Sequence, residues 1–187
     1  KMGKKISVDS ATMMNKVFEI IEAKKIFDLN YDKLDILVHP KSYVHAIIKF
    51  KDGMINIVAH DTNMKIPIFN SLYDNKQKSI HTDQINLNKL NFLDFKKVDT
   101  RKFPSIKIIK RLQNKDSLLE TIIVLANDEL VHLFLLKKVN FTDINKNLLK
   151  LINMKEIKDL SLNKPGSVQS IISINKIVRK KIHQIIK

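Results

Sequence analysis

The sequence predicts an α+β fold, a small sheet with a hairpin and packed helices followed by an extended linker and a C-terminal four-helix bundle. Three observations carry that reading. Residues 43–50 and 54–60 alternate in hydropathy on either side of Asp52-Gly53, a strong hairpin step. Residues 13–27 repeat apolar side chains at helical spacing. After Phe103-Pro104 the helical period persists to the end of the chain.

Length and composition bound what such a fold can do. A chain of 187 residues with 44% apolar side chains can bury a core as one large domain or two small ones. It contains no cysteine, which removes disulfide and thiolate chemistry and fits a reducing compartment. No apolar run approaches the length of a membrane span, and no signal peptide is visible. The net charge is +15, yet the basic residues are 31 Lys against 3 Arg, spread along the chain. Nucleic-acid recognition favours the arginine fork, so this charge reads as a solvated surface with an anionic substrate as a local beneficiary, and neither nucleic acid nor membrane as partner.

Residues 4–8 read as a short strand running into a turn at Ser10, which sits where an N-cap would. The following helix carries Met13, Met14, Val17, Phe18, Ile20 and Ile21 on one apolar face. Thr12, Asn15, Lys16, Glu19 and Glu22 fall on a polar stripe. A hydroxyl, an amide and an ammonium at a helix start suit a phosphate, and Glu19, one turn deeper, suits a divalent metal. The same residues also read as a solvated Lys16–Glu19 ion pair above ordinary core methionines. The helix ends at Asp28-Leu29-Asn30.

Leu34, Ile36 and Val38 alternate with Asp35 and Leu37 as a half-buried strand ending at His39-Pro40. In the first hairpin strand Val44, Ala46, Ile48 and Phe50 share one face, which turns His45 toward solvent or a site. Pro67 suits the first turn of a short helix through Ser71. Residues 74–103 lose periodicity and read as the extended linker. Beyond it, helices are expected over 105–112, 116–137 and from a Thr142 cap to Ile152, with a Ser167-capped region breaking near Ser173. The polar Asn127, Asp128 and Glu129 lie inside the apolar 116–137 segment and read as structural, bonded to the linker. Glycine occurs only at 3, 53 and 166, so no Gly-x-Gly-x-x-Gly nucleotide loop exists here.

The string Met2-Gly3-Lys4-Lys5-Ile6-Ser7-Val8-Asp9-Ser10-Ala11-Thr12-Met13-Met14-Asn15-Lys16 closely resembles the signature of the 1-deoxy-D-xylulose 5-phosphate reductoisomerase family. His39-Pro40-Lys41-Ser42 with His45, the Asn63-Met64-Lys65-Ile66-Pro67-Ile68 loop, and Leu125-Ala126-Asn127-Asp128-Glu129 resemble further family segments. Val17-Phe18 replaces the family's Gly-Leu, and Lys41 its Gln. The resemblance implies that residues 1–73 are the C-terminal part of a mixed α/β catalytic domain, 74–103 a linker and 104–187 the helical bundle. It further implies the conversion of 1-deoxy-D-xylulose 5-phosphate to 2-C-methyl-D-erythritol 4-phosphate in non-mevalonate isoprenoid synthesis, with NADPH and Mg²⁺ or Mn²⁺.

Carried over by residue, Ser10, Asn15, Lys16, Glu19 and His45 would bind the substrate, Lys16 and Glu19 being catalytic and Glu19 also a metal ligand. Gly3 and Met64 would lie beside NADPH; Met64 equally suits a gap-filling core position. The signature begins almost at the first residue, so the sequence reads as a chain whose beginning, with any Rossmann-type NADPH domain and two further acidic ligands, lies upstream. On that expectation these residues alone bind metal and NADPH weakly and do not turn over. The resemblance also implies a homodimer in the full-length form and a cytoplasmic enzyme, or one in a plastid-like compartment in a eukaryote. The alternative is a non-catalytic phosphosugar-binding or interaction module derived from that enzyme.

Overall fold

Lys4–Ala11 is helical, not extended, and this reverses the strand expected at 4–8. In the computed structural model, which describes residues 3–73 and 78–186, α1 (Lys4–Ala11) is followed after a two-residue turn by α2 (Met14–Phe27). The stretch places Lys5 and Asp9 one helical turn apart, where the ammonium and carboxylate meet at 2.6 Å. Asp28 ends α2 in the left-handed conformation. Met2 of the signature and residues 74–77 of the expected linker lie outside the described residues.

The described chain divides into two compact units. One comprises Lys1–Ile36 with Val98–Lys187, the other Leu37–Lys97. In the first, a 3₁₀ helix (Pro104–Arg111) takes the place of the expected helix at 105–112, and four α-helices follow. These are α5 (Leu119–Leu135), α6 (Phe141–Asn153), α7 (Lys155–Ser161) and α8 (Val168–Ile186). The bundle of four helices stands, but α7 was not expected, and α8 runs unbroken through Ser173, whose Oγ bonds back to Gln169 O at 3.0 Å. α6 is capped by Asn140 through a reciprocal capping box with Asp143, rather than by Thr142.

α5 is the central element of this unit. It packs on α6, α8 and α1, and Ile122, Ile123, Ala126 and Leu130 are wholly buried around it. Met14, Val17 and Ile20 of α2 join the same core, with Met13, Phe18 and Ile21 half-buried against it. The apolar stripe read from the sequence is therefore the face that α2 buries.

In the second unit β1 (Leu37–Val38) is shorter than the strand expected from Leu34. β2 (Val44–Lys49) and β3 (Ile55–Ala59) form the hairpin, α3 (Lys65–Leu72) and α4 (Leu87–Leu90) follow, and β4 (Lys96–Lys97) pairs antiparallel with β1. Gly53 turns the hairpin at φ 92°, a conformation that glycine adopts without steric cost. The β2–β3 register slips between Val44↔Ala59 and Ala46↔Val58, so His45 is the extra residue of a bulge. Val44 and Ala46 consequently lie on opposite faces, which corrects the single alternating face expected for them. Ile47, Ile48, Ile55 and Ile57 are all exposed, on both faces of the sheet.

Candidate functional site

The candidate cradle lies at the α1–α2 turn. Ser10 belongs to the last turn of α1 and does not cap α2. The residue in the cap position is Met13, in the left-handed region at φ 60° and ψ 16°, and no side chain caps the helix there. A strand-to-helix junction is thus replaced by a helix–turn–helix corner.

Within that corner two pairs of signature residues meet. Asn15 Nδ2 donates to Ser10 Oγ at 2.8 Å, and Lys16 Nζ donates to Glu19 Oε2 at 2.6 Å. An Asn–Ser bond in that direction uses a lone pair of the hydroxyl and leaves its hydrogen free to donate outward. Lys16 keeps donors beyond the one given to Glu19, and Glu19 keeps its second oxygen. The Lys16 and Glu19 side chains are 46% and 54% exposed, so their pairing contributes roughly 0–1 kcal/mol and an anion or cation can part it at little cost. Thr12, expected on the same polar stripe, is instead buried. Its Oγ1 donates to Val8 O at 3.1 Å and Asp9 O at 3.2 Å.

Beneath the exposed pairs lies a buried polar layer. Asp9, 1% exposed, accepts from Lys5 at 2.6 Å and from Asn127 Nδ2 on α5 at 2.7 Å. Lys5 also meets Asp128 at 3.0 Å. Partial burial pulls the Lys5 ammonium down, but its bonds to Asp9 and Asp128 outweigh that and hold it above the usual lysine range. Ser105 Oγ, from the 3₁₀ helix, donates to Thr12 O. Asn127 and Asp128 are thus structural, as their sequence context implies, but their partners are on α1 and not in the linker. Glu129 is buried and meets Arg179 at 2.9 Å and His183 at 3.0 Å on α8.

The other sequence candidates belong to other segments of the chain. Gly3 is exposed just before α1, and a Cβ built on it would meet nothing within 4 Å. His45 and Met64 belong to the second unit. The His45 ring stacks on His60 at 3.7 Å and 9°, with Nε2 3.1 Å from His60 O. Met64 is 69% exposed just before α3 and fills no gap in the core of the described residues. Among the described residues no group of three or more His, Cys, Asp or Glu could hold a metal ion. Glu19 therefore offers one carboxylate, already paired, and these residues alone do not fit a hard divalent cation that takes about six oxygens. Nor do three scattered glycines build a dinucleotide loop. No helix among the described residues is long and apolar enough to cross a membrane.

The signals for the buried layer were present but ambiguous. Lys5 and Asp9 at one-turn spacing mark a helix, while Ser105 and Asn127 lie 93 and 118 positions from their partners and have no local signature.

Residues 60–181 match the family described as the DXP reductoisomerase C-terminal domain, and residues 1–27 match the 1-deoxy-D-xylulose 5-phosphate reductoisomerase C-terminal domain. The chain is 55% identical over 181 residues to the 1-deoxy-D-xylulose 5-phosphate reductoisomerase of Pelagibacter ubique, covering 97% of this chain and 47% of that one. It is 36% identical over 184 residues to that of Aquifex aeolicus, with 98% and 47% covered. Among solved structures, a DOX-P reductoisomerase in complex with NADPH, fosmidomycin and magnesium superposes with a TM-score of 0.85 at 32% identity, over 100% of this chain and 47% of that one. The Zymomonas mobilis enzyme in complex with NADPH does so with a TM-score of 0.82 at 30% identity, over 98% and 47%. The chain spans about half the length of the relatives it matches.

Proposed function

The chain belongs to the 1-deoxy-D-xylulose 5-phosphate reductoisomerase family, and from that membership we propose that it supplies the substrate-holding part of an enzyme converting 1-deoxy-D-xylulose 5-phosphate to 2-C-methyl-D-erythritol 4-phosphate. The observation that supports this reading is the exposed cluster of Ser10, Asn15, Lys16 and Glu19, backed by a buried polar layer that fixes the α1–α2 corner.

In this proposal Lys16 neutralises the phosphate end, and Ser10 and Asn15 hydrogen-bond the sugar's oxygens. Asn15 holds the Ser10 hydroxyl so that its hydrogen faces the ligand. When substrate takes the Lys16 ammonium, Glu19 is freed to meet a substrate hydroxyl, and it would be one of the several ligands that a Mg²⁺ or Mn²⁺ ion needs. His45, with its tautomer fixed by the carbonyl of His60, lines the substrate, and Gly3 and Met64 lie beside NADPH. NADPH, when bound, would supply a hydride to the substrate. The functional division into 1–73, 74–103 and 104–187 crosses the structural one, because α1 and α2 pack with the bundle. The proposal includes a cytoplasmic homodimer, for which the exposed isoleucines of the hairpin offer an apolar surface.

Binding tests it. Calorimetric titration of the full chain with the sugar phosphate is expected to give a measurable affinity. Lys16→Met should weaken it about tenfold or more while changing stability by no more than about 0.5 kcal/mol, since the lost ion pair is exposed. Equal affinity in the two proteins refutes the role of Lys16. On the same reading these 187 residues oxidise no NADPH when mixed with substrate; detectable turnover would contradict it.

A further inference from the structure

Two residues that lie far along the chain and are open to no ligand hold the turn on which the cradle is built. Asn127 is 0% exposed and donates to Asp9, the residue preceding Ser10. Its own Oδ1 is buried with no partner among the described residues. An apolar side chain at that place in α5 would carry no such orphan acceptor, so packing gives no reason for the amide, whereas its bond to Asp9 does. Ser105, also 0% exposed, donates to the carbonyl of Thr12, the residue preceding Met13. Met13 is a non-glycine residue in the left-handed region, a conformation that persists where its surroundings over-determine it. The two bonds bracket the corner: one anchors the end of α1 that carries Ser10, the other the peptide entering the left-handed turn from which Asn15 and Lys16 depart.

We propose that Asn127 and Ser105 are positioning residues for the phosphosugar cradle, setting the relative placement of Ser10, Asn15 and Lys16 without touching the ligand. The inference rests on the reading of that corner as a phosphate-binding site. Positioned groups lose effect steeply with displacement, so loosening the corner weakens binding without removing any binding group.

The test titrates the full chain with inorganic phosphate, following the backbone amide signals of residues 10–19, in wild type, Ser105→Ala, Asn127→Ala and Ile144→Val. Ile144 is buried in α6, and its variant loses core packing without removing any polar group of the corner or of its two anchoring bonds. Ser105→Ala removes a single oxygen, which guards against Asn127→Ala failing to fold. The expected result is phosphate affinity reduced about fivefold or more in Ser105→Ala and Asn127→Ala, the low end of coupling between packed sites, with Ile144→Val equal to wild type. Wild-type affinity in Ser105→Ala overturns the proposal and leaves the cradle reading intact. An equal loss in Ile144→Val overturns it too, since general loosening would then account for the effect. If wild type itself shows no shifts at residues 10–19, the cradle reading fails and takes the positioning proposal with it.

Discussion

Replacing Tyr31 with Phe isolates one buried bond that ties the segment after α2 to the start of α5. The Tyr31 hydroxyl donates to Glu120 Oε1, while Lys25 lies 3.3 Å from Glu120 Oε2 and 2.7 Å from Asp116. Both Tyr31 and Glu120 are buried. A buried bond to a charged acceptor contributes about 1.5–3 kcal/mol, and Lys25 still partners Glu120 in the variant, so a loss of about 2 kcal/mol is expected at pH 7. For a chain of this size that corresponds to a fall in Tm of about 4–8 °C by circular dichroism.

The same bond has a pH signature. Burial, and then the bond and charge of Glu120, push the Tyr31 phenol well above its ordinary value of 10.0. Folded Tyr31 thus holds its proton more tightly than the unfolded phenol. Its contribution is complete below pH 10.0 and is lost as pH rises beyond that value. Lys25 is also raised, chiefly by its bond to Asp116, but wild type and variant share that effect and the difference between them largely cancels it. The gap between the two proteins should therefore narrow by about 1.4 kcal/mol between pH 7 and about pH 11. A gap under about 0.5 kcal/mol at pH 7, or one that stays constant to pH 11, would refute the assignment of this bond.

Two further substitutions probe other parts of the structure. Glu129→Gln removes the buried carboxylate that meets Arg179 and His183 of α8, whose side chains are themselves more than half exposed, so a loss of about 1–2 kcal/mol with faster amide exchange from Ile174 to Ile182 is expected; unchanged exchange there would separate Glu129 from the docking of α8. Gly53→Ala forces a side chain into φ 92°, where open space around the residue leaves backbone strain as the only penalty, and should cost about 1 kcal/mol, read as faster exchange of the Phe50 and Gly53 amides.

What was legible in the sequence follows the range of the interactions. The buried stripe of α2 and the long α5 repeat over enough turns for the period to decide, and the hairpin is announced by Asp52-Gly53. Residues 4–8 offered too few positions to separate a period of 2 from one of 3.6, although Lys5 and Asp9 at one-turn spacing favoured the helix. Ser173 resembled a break because serine is a common cap. Inside α8 its hydroxyl returns to the Gln169 carbonyl, and the helix continues. Ser10 resembled a cap for the same reason, and the true turn one residue after Thr12 depends on a left-handed methionine that no propensity would select. The pairing of Asn15 with Ser10 and of Lys16 with Glu19 is local, five and three positions apart, and the second is the ion pair that the helical spacing offers. The slip at His45 is set by the partner strand, and the Asp9–Asn127 bond by the packing of α1 on α5. Neither leaves a trace within a short window.

The β1–β4 pairing has a consequence for how the chain can be built and rebuilt. The first unit draws its core from segments on either side of Leu37–Lys97, so its folding must close a loop of about sixty residues. Closure entropy grows only logarithmically, by roughly 0.6 kcal/mol for each doubling of length, so the helical unit is nearly indifferent to how much chain lies between Ile36 and Val98. Leu37–Val38 and Lys96–Lys97, hydrogen-bonded side by side, bring the two ends of that excursion together whatever it contains. The hairpin segment can therefore lengthen, shorten or diverge in evolution while the helical core keeps its own stability.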